Sequence, residues 1–245
     1  MNRHVRQPSR RGSAYHRSVA VQAVIFDWGG TLTPWHTIDH AGLWREICEP
    51  HVPAADLAAT VAAIEAAERE LWTLCERDQR SATMEHLFQR AGVRAHPGLV
   101  ESYLRAWAPH TITDPDAGPV FRKLRERGIR IGVLSNTMWP RSWHEDVFRR
   151  DGVLDLIDGA VYTSEIDWTK PHPEAFRAAM RAVGADDPAA CVFVGDRPYD
   201  DIHGARGAGM RAVLVPNSDV PPFDGVTPDA VITRLSDLPE LIDSW

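Results

Sequence analysis

Six short apolar runs recur along the chain, and amphipathic segments separate most of them. The apolar runs span residues 21–26, 129–134, 159–162, 191–194, 212–215 and 230–232. The segments 119–127, 140–150, 173–183 and 201–208 mix apolar and polar positions at the helical period. Strands that are apolar throughout and alternate with helices are typical of a parallel sheet covered on both faces. The pattern therefore predicts an α/β fold, in which functional residues gather at the carboxyl ends of the strands.

The alternation stops between residues 34 and 110. No run in this stretch has the pattern of a strand, whereas residues 54–77 and 81–91 carry helical patterns, with apolar side chains such as Val61, Ile64 and Leu71 at helical spacing. We expect residues 34–110 to form a helical domain inserted into an α/β core of residues 20–33 and 111–245. The alternative interpretation is that these helices belong to the core itself.

Composition and charge narrow the class of protein. The 245 residues are 44% hydrophobic and 25% charged, as in ordinary soluble enzymes, and the net charge of -7 argues against general binding to nucleic acid or to acidic membranes. No stretch approaches the roughly 20 apolar residues of a membrane span. Residues 1–19 are basic and poor in apolar side chains, which predicts a disordered tail. The three cysteines fit no metal-ligand spacing, so we expect idle thiols in a cytoplasmic protein.

Three polar segments lie where a sheet edge is predicted. Residues 24–33 read V-I-F-D-W-G-G-T-L-T and place Asp27 at the tip of a buried strand. A carboxylate there is energetically unfavourable unless it has a functional role or an ion-pair partner. The segment I-G-V-L-S-N-T, residues 131–137, ends in Ser135 and Asn136, which either bind an anionic oxygen or cap the next helix. In T-S-E-I-D-W-T-K-P-H-P-E-A-F, residues 163–176, two prolines fix the approach of Lys170, which either faces a phosphate or carboxylate or is solvated.

A fourth segment gathers acidic side chains. It reads V-F-V-G-D-R-P-Y-D-D-I-H-G-A-R-G-A-G-M and spans residues 192–210. Asp196 ends a predicted buried strand, and Asp200 and Asp201 open the next helix, where carboxylates are favourable in any case. Together with Asp27 they would repel one another at one edge of the sheet unless a cation joined them. A hard divalent ion with oxygen ligands, Mg²⁺ above all, would remove that cost.

In order and spacing, the four segments resemble the motifs of the haloacid dehalogenase superfamily of phosphotransferases and hydrolases. The resemblance covers the chain from about residue 21 onwards, and residues 164–176 and 195–210 are its most specific parts. It points to the branch whose helical cap lies between the first and second motifs. It implies a three-layer, Rossmann-like parallel sheet core with an inserted α-helical cap, which would close over the site and select the leaving group.

The resemblance implies catalytic and phosphate-binding roles for matching residues. Asp27 would be the nucleophile that forms an aspartyl-phosphate, which water then hydrolyses. Lys170 would orient Asp27 and neutralise charge on the transferring phosphoryl group. Thr31 and Ser135 would hold phosphate oxygens, with Asn136 close by. The implied substrate is a small phosphorylated metabolite.

The resemblance also implies a Mg²⁺ site. Asp27 and Asp196 would bind the ion directly, and the backbone carbonyl of Gly29 would complete the protein's share of the ligands. Asp201 stands at the spacing of the family's other acidic residue, with Asp200 as the adjacent candidate.

One position departs from the pattern of the family's phosphatases. These enzymes carry a second aspartate two residues after the nucleophile, as general acid and base, and here that position is Gly29. General acid–base catalysis is typically worth about 10²–10⁴-fold, so we expect phosphatase activity that is slow or confined to good leaving groups. His36 and Asp39, just beyond the turn, are candidates to replace the missing acid.

Other functions are compatible with that departure. The 2-haloacid dehalogenases also lack the second aspartate and need no metal, so a dehalogenase-like hydrolase is one alternative. Phosphonoacetaldehyde hydrolase has a similar D-W-A-G-T turn but uses a lysine of its cap, and residues 34–110 contain no lysine. Another alternative is a catalytically impaired relative that binds a phosphorylated ligand or a protein partner. The sequence leaves the substrate and the oligomeric state open; cap side chains either face the site or pack elsewhere, among them Trp44, Arg45, Trp72, Arg77 and His86.

Overall fold

The computed structural model describes residues 19–220 and 223–245, so residues 1–18 of the expected basic tail lie outside the described residues. The strands are β1 (Ala23–Phe26), β2 (Arg130–Ser135), β3 (Gly159–Tyr162), β4 (Cys191–Gly195), β5 (Arg211–Leu214) and β6 (Ala230–Val231). The α-helices are α1 (His40–Cys48), α2 (Ala54–Asp78), α3 (Met84–Ala91), α4 (Pro97–Trp107), α5 (Ala117–Glu126), α6 (Arg141–Arg150), α7 (Pro173–Ala182), α8 (Gly204–Gly207) and α9 (Leu238–Asp243). Each of the six predicted strands is present, with ends that shift by no more than two residues.

All six strands run parallel in one sheet, in the order β3-β2-β1-β4-β5-β6. Strand β1 lies between β2 and β4, and Phe26 at its end pairs with Val133 on one side and Val194 on the other. Because this register aligns the ends of the three strands, the residues that follow β1, β2 and β4 meet at one edge of the sheet.

Helices cover both faces of the sheet. Successive strand residues point to opposite faces, so Val24 and Phe26 pack in one hydrophobic cluster with Phe121 of α5. Ile25 packs on the other face, in a cluster that includes Phe176 of α7. The predicted three-layer α/β core with a parallel, Rossmann-like sheet is confirmed by this architecture.

Helices α1 to α4 form a separate hydrophobic cluster beside the carboxyl edge of the sheet. Each contributes a buried side chain to that cluster, for example Ile47, Ile64, Leu87 and Tyr103. Trp139, from the segment after β2, packs in the same cluster and so joins the helices to the sheet edge. No helix in the described part of the chain is long and apolar enough to cross a bilayer.

The structure adds helices that the hydrophobic pattern did not single out. Helix α1 begins after Asp39, whose Oδ1 accepts a hydrogen bond from Gly42 N at 3.0 Å, and α4 begins with Pro97 at its first position. The structure also differs from the single helix predicted at residues 201–208, because a π-helical turn over Pro198–His203 precedes the short α8. That wide turn directs Asp201 into the interior, where it is fully buried.

Candidate active site

Asp27 lies at the point where the central strand ends. Its backbone N–H donates to Val194 O at 2.9 Å, which continues the ladder between β1 and β4 by one residue. The side chain is 5% exposed, and one of its oxygens is 2.8 Å from Lys170 Nζ. A carboxylate at this depth is stabilised by that ion pair.

Lys170 bridges two carboxylates. Its Nζ lies 2.8 Å from Asp27 Oδ1 and 2.7 Å from Asp201 Oδ1. The lysine is buried, and these two carboxylates raise its pKa above the ordinary value although burial alone would lower it. The raised pKa favours the charged ammonium beside Asp27.

Asn136 fixes the backbone of this lysine. The Asn136 side chain accepts a hydrogen bond from Lys170 N at 2.8 Å and donates one to Lys170 O at 3.0 Å. The two segments are 34 residues apart in the chain. Asn136 lines the cavity described below, but its observed contacts are with the lysine backbone, a role that the family resemblance did not suggest.

A cluster of three carboxylates surrounds the same point. Asp27, Asp196 and Asp201 are buried, and each offers an oxygen such that these oxygens lie within 4.8 Å of one another. Burial, and after it the charge of Asp27, raise the pKa of Asp196 to about 6. Burial also raises the pKa of Asp201 to about 8, against the opposing effect of Lys170. The three carboxylates therefore carry more negative charge than Lys170 neutralises.

The donor set fits a divalent cation. Asp196 Oδ2 is buried and has no hydrogen-bond partner among the described residues, whereas its Oδ1 accepts from Thr31 at 3.0 Å. A Cβ at Gly30 or at Gly195 would overlap the carboxylates of Asp196 and Asp201 respectively, so both glycines leave space that the acidic groups occupy. Clustered carboxylate oxygens with one unsatisfied atom are the ligands that Mg²⁺ prefers.

Asp200 lies outside this cluster. Its carboxylate is 3.6 Å from Arg197 Nη1, and it faces the cavity next to the site. Of the two neighbouring aspartates, Asp201 is the one that the structure brings to Asp27 and Asp196.

The three expected phosphate ligands have different surroundings. Ser135 is buried at the end of β2 and lines the cavity, as does Asn136. Thr31 does not line the cavity; it is 1% exposed and its hydroxyl donates to Asp196. This arrangement supports a role for Thr31 in holding Asp196 and gives no support to the expectation that it holds a phosphate oxygen.

A cavity of about 870 Å³ opens in front of these groups. Asp27, Gly29, Ser135 and Lys170 line one part of it, and side chains from α2 and α4 line another. His36 lies at this cavity, with its ring 5.4 Å from that of His110, whereas the second candidate acid, Asp39, caps α1. Of the two, His36 alone lines the cavity.

Several lining residues were missed by the reasoning from sequence. Trp28 and Arg197 directly follow Asp27 and Asp196, so their positions in the chain could have indicated them. Tyr103 and Trp107 of α4 lack such a signal, because nothing in the sequence links α4 to the sheet edge. Of the candidate side chains between residues 34 and 110, Trp72 lines the cavity; Trp44 is buried among the helices, and Arg45, Arg77 and His86 are not part of the lining.

Comparisons with known proteins point to one family of enzymes. A family model described as haloacid dehalogenase-like hydrolase matches residues 21–209. A curated glyceraldehyde 3-phosphate phosphatase of Methanopyrus kandleri is 27% identical over 91% of this chain and 97% of its own. A curated phosphatase of Mycobacterium tuberculosis is 36% identical over 53% of this chain, and the match spans about half of that relative, 55% of its length.

Solved structures show the same fold. A phosphatase from Thermococcus onnurineus has a TM-score of 0.64 at 19% identity, covering 91% of this chain and 98% of its own. A 2-haloacid dehalogenase from Pseudomonas syringae has a TM-score of 0.61 at 26% identity, covering 92% of this chain and 99% of its own. The matched family model spans more than half of the chain, so the chain belongs to the haloacid dehalogenase-like hydrolase family.

Proposed function

We propose that this hydrolase is a Mg²⁺-dependent phosphatase of a small phosphorylated metabolite. The observation that carries the proposal is the buried cluster of Asp27, Asp196 and Asp201 around Lys170, in which Asp196 Oδ2 has no partner among the described residues. The phosphatases among the curated relatives support the same reaction class. The three cysteines are free and buried, which fits a reducing compartment such as the cytoplasm.

Asp27 is the nucleophile in this proposal. One carboxylate oxygen attacks phosphorus, the P–O bond to the leaving group breaks, and a water molecule later hydrolyses the aspartyl-phosphate to inorganic phosphate. Lys170 holds Asp27 in place and offsets charge on the transferring group, and the Ser135 hydroxyl donates to a phosphate oxygen. Asp27, Asp196, Asp201 and the Gly29 carbonyl would hold Mg²⁺, which when bound supplies electrostatic stabilisation of the phosphoryl oxygens.

The leaving oxygen needs a proton, and Gly29 cannot supply one. His36 is the candidate donor, because it lines the cavity, whereas Asp39 is engaged as a helix cap. A proton donor outside the usual position predicts slow turnover of alkyl phosphates and faster turnover of aryl phosphates, whose leaving groups need little protonation.

Residues 34–110 form the cap in this proposal. Their helices bury one hydrophobic cluster with Trp139, and α2 and α4 line the cavity above Asp27. A cap in this place excludes water from the phosphoryl group and contacts the leaving group, so it determines which substrate is accepted.

The proposal is tested by hydrolysis of 4-nitrophenyl phosphate with and without Mg²⁺. We expect phosphate release that requires Mg²⁺ and that is lost in Asp27→Asn, because the amide cannot attack phosphorus. Asp186→Asn, which removes an exposed carboxylate with no described partner, is the matched control and keeps full activity. Release that persists in Asp27→Asn would contradict the assignment of the nucleophile.

A 2-haloacid dehalogenase is the second candidate function. The likeness to the dehalogenase of Pseudomonas syringae and the absence of an acid at Gly29 favour it. The buried acidic cluster argues against it, since displacement of a halide needs no metal. Metal-independent release of chloride from 2-chloropropionate, without phosphatase activity, would select this alternative.

A further inference from the structure

The cavity extends well beyond the groups that handle phosphate. Its volume of about 870 Å³ is within the range of sites that hold drug-sized molecules. Its far lining comes from α2, α4 and the segment after β2, on the side where the proposed function places the leaving group.

Aromatic side chains form much of that lining. Trp28, Trp72, Tyr103, Trp107 and Trp139 all border the cavity. Four of them also contact each other: the rings of Trp28 and Trp139 are 5.4 Å apart, those of Trp107 and Trp139 are 6.0 Å apart, and Trp139 Nε1 donates to the Tyr103 hydroxyl at 2.7 Å. A wall of interlocked rings is rigid and suits a flat or ring-sized apolar group.

Helix α2 adds negative charge to this wall. Glu65, Glu68 and Glu76 line the cavity at helical spacing, with Trp72 on the same face, and Arg69 is the one basic side chain that α2 contributes to the lining. Glu68 accepts from Trp44 Nε1 at 3.2 Å and lies 3.7 Å from His40 Nδ1.

Two of these carboxylates have no described ion-pair partner. Neither Glu65 nor Glu76 forms an ion pair within residues 19–220 and 223–245, although both border the cavity. Aromatic faces next to unpaired carboxylates attract a cation, because the rings and the carboxylates both present negative potential.

We propose that the preferred substrate is a phosphate monoester whose leaving group has a ring-sized apolar body and a positively charged amine. The aromatic wall accommodates the apolar body. Glu65, Glu68 and Glu76 are spread over about three turns of α2, and the negative potential that they create along this helix stabilises the amine. This inference rests on the proposed phosphatase activity, with the phosphate at Asp27 and Lys170 and the amine at α2.

The test compares two aryl phosphates of equal size. Tyramine O-phosphate carries the amine, and 4-propylphenyl phosphate has a methyl group in its place; both release phenols of similar acidity. We expect kcat/KM to be about tenfold higher for the amine, as one cation–π contact with a supporting carboxylate allows. The double variant Glu65→Gln/Glu76→Gln should reduce this preference to about twofold or less.

Glu70→Gln is the matched control. Glu70 is on the same helix but pairs with Arg90 outside the cavity, so the tenfold preference should persist in this variant. Equal kcat/KM for the two substrates in the wild type would overturn the inference while leaving the phosphatase intact.

A binding measurement separates the inference from the proposed function. Binding of tyramine and of 4-propylphenol to Asp27→Asn protein can be followed by tryptophan fluorescence without any turnover. Tenfold tighter binding of tyramine, lost in the Glu65→Gln/Glu76→Gln background, supports the amine site. Equal binding overturns it. Failure to hydrolyse any aryl phosphate, including 4-nitrophenyl phosphate, would overturn the phosphatase alone.

Discussion

At the scale of single residues, the site combines the proposed nucleophile, Asp27, with a glycine at the position of the expected acid. Asp27 and Lys170 are buried and paired at 2.8 Å, whereas position 29 carries no side chain. A Cβ built on Gly29 meets no atom within 4 Å, and the backbone there is outside the left-handed region. The position is therefore open to a side chain, and its chemistry can be changed without disturbing the turn.

We expect Gly29→Asp to increase phosphatase activity. The new carboxyl group would stand two residues after the nucleophile, where it can protonate the leaving oxygen and activate water. The increase should approach about 10²-fold in kcat for an alkyl phosphate and be smaller for 4-nitrophenyl phosphate, whose leaving group needs little protonation. Steady-state kinetics with both substrates measure the two ratios.

Gly29→Asn is the control for this change. The amide has the same shape but cannot transfer a proton, so its activity should not exceed that of the wild type. An equal gain in both variants would show that the effect is steric and would contradict the role of the missing acid.

At the scale of elements, the site depends on how closely β4 and the π-helical turn approach each other. Asp201 is fully buried against the end of β4, with its Oδ2 accepting from Arg197 N at 2.8 Å. Gly195 permits that approach, because a Cβ there would overlap the Asp201 carboxylate. The strand end and the turn thus form a single unit that holds one carboxylate of the cluster.

Gly195→Ala should damage both stability and metal dependence. The added methyl group must displace Asp201, which weakens its ion pair with Lys170 and costs about 1–3 kcal/mol of unfolding free energy. Urea denaturation gives the stability, and a Mg²⁺ titration of activity gives the apparent metal affinity, which should fall.

Gly207→Ala provides the comparison. Gly207 lies in α8, and a Cβ there meets no atom within 4 Å, so alanine should stabilise the protein by about 0.5–1 kcal/mol and leave the Mg²⁺ titration unchanged. Similar losses in the two variants would contradict the steric argument for Gly195.

At the scale of the whole molecule, a buried histidine joins helix α6 to the sheet. His144 of α6 is completely buried, stacks on Tyr162 of β3 at 4.3 Å and contacts the edge of Trp28 at 4.4 Å. Its Nε2 is 3.1 Å from Thr137 Oγ1, and its Nδ1 has no hydrogen-bond partner among the described residues. Burial, and to a smaller extent the charge of Arg141, lower the pKa of His144 to about 3.

This histidine should make the fold sensitive to acid. Since the pKa is lower in the folded state than the unfolded value of about 6.5, the unfolded chain binds the additional proton. The contribution of neutral His144 to the free energy of unfolding is fully present above about pH 6.5. As the pH falls towards 3, the free energy of unfolding decreases by an amount on the order of 4 kcal/mol. Urea denaturation between pH 4 and 7 should show a shallower pH dependence in His144→Gln than in the wild type.

His203→Gln is the control, because it removes an exposed histidine and leaves the buried His144 in place. Its pH dependence should match that of the wild type. If His144→Gln retained the full wild-type slope between pH 4 and 6, other groups would account for the acid sensitivity and the prediction would be wrong.

Local patterns along the chain were enough to predict the core of this protein. Buried parallel strands such as β1 and β4 require continuous apolar runs, and such runs are visible without knowledge of the partner strands. Asp27, Lys170 and Asp196 were also predictable, because each is a charged residue at the end of an apolar run or before a proline-bounded helix. Their common position follows from the parallel register, which brings the ends of neighbouring strands to one edge.

The surroundings of the two neighbouring aspartates depend on the folded chain. Asp201 stands at the spacing of the family's other acidic residue, with Asp200 as the adjacent candidate, and the π-helical turn directs Asp201 to Lys170, at 2.7 Å, and Asp200 to Arg197. Asn136 and Thr31 matched family motifs, yet their contacts with Lys170 and Asp196 cross 34 and 165 residues of chain. Contacts over such separations depend on packing, which periodicity does not encode.

The cavity lining is the clearest case of information that tertiary packing adds. The sequence predicts that α2 is helical and amphipathic, but Glu65 and Glu76 border the cavity only because α2 lies over the end of the sheet. Likewise, Tyr103 lines the cavity and accepts a hydrogen bond from Trp139, 36 residues away. The secondary structure and the polar residues at the strand ends follow from local chemistry, whereas the groups that line the cavity follow from how separate helices pack against the sheet edge.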